Sequence, residues 1–189
     1  MLNSFFSILV LVLTLTGPGV PDADAAQWKI LKTRYLNLHF QNLSDLEKFD
    51  SNITPVKHSA RFSNFTPDES EKGEHGRLAN KVDQLVEKVQ LILDMRKPIR
   101  INIRIYPGKK ALQDTYFRIF KKRRNMRAWY IFERNTIYVN VEDLFSGMLA
   151  HEIAHGIIDH FLVARPPRAT AEILARYVDA HLNEEAKTY

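Results

Sequence analysis

Apolar and polar residues follow two different periods along this chain, and each period predicts an element. Leu78, Val82, Leu85, Val86, Val89, Ile92 and Leu93 fall on one face at helical spacing, which predicts an amphipathic helix over "RLANKVDQLVEKVQLILDM". After Pro98 the period becomes two. Ile99, Ile101, Ile103 and Ile105 alternate with polar residues up to Tyr106, as in a half-buried strand. Upstream, Thr33–Phe40 has strand composition, and Ser44 opens "SDLE", a capping-box pattern for a short helix ending near Phe49. Residues 50–76 are polar and punctuated by Pro and Gly, the marks of a long loop. Pro107-Gly108 turns the chain into a second helix, with Leu112, Tyr116 and Ile119 or Phe120 inward. Two strand-like runs, Ala128–Phe132 and Thr136–Val141, join at "ERN" as a hairpin. Asp143 opens a helix reaching about Val163, "ARPPR" breaks it, and "ATAEILARYVDAHL" forms a terminal helix. The order predicts one α+β domain, a small mixed sheet with packed helices.

Composition changes this picture at one end. The chain has 189 residues, 45% of them hydrophobic and 26% charged, which suits a globular domain. The segment Phe5–Thr16 is an apolar run too short to span a bilayer comfortably, and Ala23-Asp24-Ala25 follows as a cleavage signature. The expectation is a signal peptide over 1–25, cleaved after Ala25, with a single domain over 26–189. Loss of Asp22 and Asp24 would raise the formal charge from +5 to +7. There is no cysteine, so disulfides and thiolate ligands are excluded. Export without disulfides points to a secreted or periplasmic protein, bacterial in character, with no membrane span after cleavage. The run "KKRRNMR", Lys121–Arg127, suits a solvated helix end, with weak binding to anionic surfaces as the alternative. A nucleic-acid partner is not expected of an exported chain.

Chemistry concentrates in "LAHEIAHGIIDH", Leu149–His160. On a helix, positions four apart share a face about 6 Å apart, so His151 and His155 can aim at one ion. Glu152 is turned about 100° from His151, where it can hold a water beside the ion and accept its proton. A catalytic zinc needs a third protein ligand and an open position. Asp159 lies about 12 Å along the axis from His151, too far to share an ion on an unbroken helix. The His extension found in some zinc peptidases would need Gly and His where Ile158 and Phe161 stand. The remaining route is Glu172 on the terminal helix, because Ala164–Arg168 can span at most about 17 Å and return the chain. His39, His58 and His75 show no ligand spacing, and His160 is expected either at the surface or supporting the site from behind its ligands.

His151-Glu152-x-x-His155 followed by a helical Glu172 resembles the gluzincin group of zinc metallopeptidases. The element order is similar to that of compact peptidase MA-like zincin domains, a motif helix followed by a ligand-bearing helix. The specific motifs cover Thr136–Leu182. The resemblance implies one zinc ion, a peptide or protein substrate, and an edge strand for it at Ile137, Tyr138, Val139 and Asn140. Thermolysin-like members place Asp four residues after the ligand Glu; Arg176 stands there in this chain, and Asp179 could orient a ligand histidine instead. Tyr177 and His181, with Tyr130 and Tyr138 behind them, are the oxyanion candidates. Two other functions compete with the peptidase. One is a proteolytically inactive zincin-fold protein that binds zinc, and the other is an envelope-interaction protein.

Overall fold

The computed structural model describes residues 27–56 and 74–183. The expected leader and the middle of the expected loop, residues 57–73, lie outside them. At its centre is strand β3 (Ile101–Tyr106), whose Ile101, Ile103 and Ile105 are all fully buried. Full burial of such side chains stabilises the fold by about 1.5–3 kcal/mol each. β3 lies parallel to β2 (Leu36–Phe40) on one side and to β5 (Thr136–Asn140) on the other. β1 (Lys29–Lys32) and β4 (Ala128–Ile131) close the two edges antiparallel, giving the order β1-β2-β3-β5-β4. The fold is α+β, with a five-stranded mixed sheet and five α-helices among the described residues.

Alternation along the strands sends two sets of side chains to two cores. Leu36, Leu38, Ile101, Ile103, Ile137 and Val139 join a large core with helices α1 (Leu43–Asn52), α2 (Glu74–Leu93), α4 (Ser146–Phe161) and α5 (Arg168–His181). Tyr106, Trp129, Ile131 and Tyr138 point the other way and pack with Leu112 of α3 (Lys109–Phe120). Trp129 stacks on Tyr138 at 5.1 Å between ring centroids, and Tyr106 stacks on Tyr138 at 6.4 Å.

The structure departs from the sequence expectation at several places. β1 is absent from the sequence expectation, because Lys-Ile-Leu-Lys shows no alternation: only Leu31 packs on the core, and Ile30 is 50% exposed. α1 begins after Asn42, whose Nδ2 donates to Asp45 Oδ2 at 3.3 Å, so Ser44 lies inside the first turn and not at the cap. α4 begins at Ser146 because Val141–Asp143 form a 3₁₀ turn, in which the Asn140 side chain accepts from Glu142 N. Of the two alternatives for the inward position of α3, Ile119 is the one that packs inward, and Phe120 is 41% exposed. No helix among the described residues is long and apolar enough to cross a membrane.

Candidate metal centre

The motif helix α4 packs on the sheet through Leu149, Ala150, Ile153, Ala154, Ile157 and Ile158, all at most 2% exposed. Gly156 lets it sit close: a Cβ there would lie 2.7 Å from Ile101 Cδ1. The apolar side thereby fixes the other face, which carries His151 and His155. Their ring centroids are 4.9 Å apart and their planes nearly perpendicular, at 77°.

Glu172, in the second turn of α5, comes back to both rings. Its Oε1 lies 3.7 Å from His151 Nε2, and its Oε2 lies 3.5 Å from His155 Nε2. Two ligands at zinc-ligand distances, separated by a tetrahedral angle, stand about 3.4 Å apart. One ligand atom from each of the three residues falls within 4.8 Å of the others. His151, His155 and Glu172 could therefore bind a metal ion. Donor type fits as well as distance, since two imidazoles and a carboxylate suit a borderline divalent cation.

Electrostatics prepare the group for a cation. Burial, then the neighbouring His151, lowers the His155 pKa, which favours the neutral ring that a metal needs. Burial pushes the Glu172 carboxyl up, but Arg176, His151 and His155 outweigh it and hold the pKa below the ordinary value. Arg176 Nε donates to Glu172 Oε1 at 3.1 Å, so an arginine shares the third ligand. Glu152 retains some exposure, yet its carboxyl is enclosed by protein: burial, then Glu172, pushes its pKa up to about 8. The Tyr130 backbone amide pulls the other way. A cation held by the three ligands would lower it further.

That amide identifies the edge beside the site. Asn140 N donates to Arg127 O, directly opposite, so the bonded pairs across β4 and β5 are the odd-numbered residues of β4. Ala128 and Tyr130 therefore turn their backbone groups outward. The expected edge strand, Ile137–Asn140, is instead an interior strand, bonded to β3 and β4 and buried throughout. The reason lies in the connection: α3 carries the chain from β3 out to β4 at the edge, and β5 returns between β4 and β3, parallel to β3.

Other expected residues lie elsewhere. Asp159 stays out of the ligand group, as helix geometry required, and its Oδ2 forms an ion pair with Arg165 at 3.1 Å, with only 5% of the side chain exposed. Asp179 lies on the α4-facing side of α5 but against Gly147, where a Cβ would come within 2.4 Å of its Oδ1. Asp179 makes no hydrogen bond to either ligand histidine. Tyr177 and His181 are turned about 140° and 180° around α5 from Glu172, and their rings stack on each other at 3.9 Å. Tyr138 lies on the far face of the sheet. Tyr130 is on the near face, its hydroxyl bonded to His160 Nε2 at 3.0 Å. Of the two positions expected for His160, the surface one is not found: the residue is half-buried and bonded to Tyr130. Its partners Tyr130 and Phe132 come from the hairpin, and no spacing within the motif helix reveals them. Compared with known proteins, the chain matches no family model, no curated protein and no solved structure.

Proposed function

We propose that the chain is a zinc-dependent peptidase that works outside the cytoplasm. The observation carrying this reading is the convergence of His151, His155 and Glu172 from two helices, with a spare carboxylate, Glu152, beside them. Zinc at these ligands would supply a Lewis acid for the scissile carbonyl and make a water nucleophilic near neutral pH. Glu152 takes a proton from the attacking water as oxygen bonds to the carbonyl carbon. It then delivers that proton to the amide nitrogen as the C–N bond breaks, and the second proton of the water leaves the new carboxyl group for the amine, giving a carboxylate and an ammonium group. The outward amide and carbonyl of Ala128 and the outward carbonyl of Tyr130 hold an extended peptide by main-chain hydrogen bonds, while the Tyr130 amide stays with Glu152. This assigns to β4 the substrate role first expected of Ile137–Asn140.

The sharing of Glu172 with Arg176 favours the second reading, a zinc-binding protein that does not cleave. One experiment separates the two. The purified protein is assayed for bound zinc and for cleavage of an unfolded protein, before and after chelation and zinc replacement. One zinc per chain with restorable cleavage supports the peptidase; one zinc without cleavage supports the second reading.

A further inference from the structure

We propose that the end of α3 and the loop after it form a docking surface for an anionic lipid bilayer. Phe117 and Phe120 are 39% and 41% exposed on the outer side of α3. Neither is loosely placed. The Phe120 ring rests on Tyr116 at 4.5 Å, and Tyr116 meets Trp129 edge-on at 5.0 Å, so a column of rings holds Phe120 outward from the core. The Arg123 guanidinium lies 5.0 Å over the Phe117 ring. Lys121, with φ at 54°, ends the helix in the left-handed conformation and turns the basic run around that end.

Charge identifies the occupant. Lys121, Lys122, Arg123, Arg124 and Arg127 are all exposed, and the sequence holds no acidic residue between Thr115 and Phe132. Among the described residues, Lys121, Lys122, Arg124 and Arg127 have no acidic partner. Exposed phenyl rings framed by unpaired cations match the boundary between acyl chains and anionic headgroups. α3 covers the sheet face opposite the metal centre, so a bilayer there leaves that centre uncovered.

The test uses the full chain and sedimentation with vesicles of phosphatidylcholine, with or without phosphatidylglycerol. Two variants, Lys121→Ala/Lys122→Ala/Arg124→Ala and Phe117→Ser/Phe120→Ser, are first matched to wild type by urea unfolding. Wild type is expected to prefer the anionic vesicles, and added salt to weaken its binding. The triple variant should lose more than about tenfold in partitioning, since each such cation contributes about fivefold. The Phe variant should bind more weakly at unchanged charge. Equal partitioning of wild type and the triple variant overturns the proposal. So does binding of duplex DNA through these cations with no vesicle binding.

Discussion

Glu172 Oε2 stands 3.5 Å from His155 Nε2, although the two residues belong to different helices joined across a proline-rich turn. That approach turns a two-histidine helix into a three-ligand group. Glu172→Ala is therefore expected to weaken zinc binding by more than about 100-fold, beyond the loss typical of an outer-shell partner. Competition against a chromogenic chelator measures it. Because Glu172 is part-exposed, unfolding free energy without metal should change by less than about 1 kcal/mol.

Arg176 competes for the same carboxylate. Its Nε bonds Glu172 Oε1, the oxygen that faces His151. Removing that cation should free the oxygen and lessen repulsion of an incoming metal. Arg176→Ala is expected to tighten zinc binding by a few-fold, or about 1 kcal/mol. Weaker binding would show that the arginine orients the carboxylate instead.

The turn between the helices depends on Arg165, which pairs with Asp159 and lies over the Phe132 ring at 4.7 Å. Arg165→Ala leaves a carboxylate with 5% exposure and no partner, at a cost of about 1–3 kcal/mol. Adding Asp159→Asn should recover part of that loss. Urea unfolding of the two single variants and the double variant closes the cycle.

Without metal, Glu152 should make stability depend on pH. Its folded pKa, about 8, lies above the ordinary 4.5. The stability it contributes is fully present below the ordinary value and is lost as pH rises through the folded one. Metal-free Glu152→Gln should therefore gain on wild type between about pH 4.5 and 8, and the gain should level off above that. Thermal melts across this range give the answer; a constant difference between the two proteins would contradict it.

The sequence made most of this fold legible where one period dominated. The isoleucines of β3 and the apolar stripe of α2 each needed only their own spacing. The triad was legible for a related reason: His151 and His155 share a helix, and the length of the turn to Glu172 bounded its reach. The identity of the edge strand was not, because Thr136–Asn140 and Ala128–Ile131 are similar as strings. Only the pairing of β5 with β3 decides which of them faces out. Arg165 and Tyr130 were missed as partners of the motif helix for the same reason. Their contacts with Asp159 and His160 join segments whose relative placement no local pattern encodes.

The central claim is that Glu152 moves the proton while the other three residues hold the ion. Its most direct test is cleavage of an unfolded protein by zinc-loaded wild type and zinc-loaded Glu152→Gln. The account predicts one bound zinc in both, and a rate lower by about 10²–10⁴-fold in the variant. Equal rates at equal zinc content would contradict it.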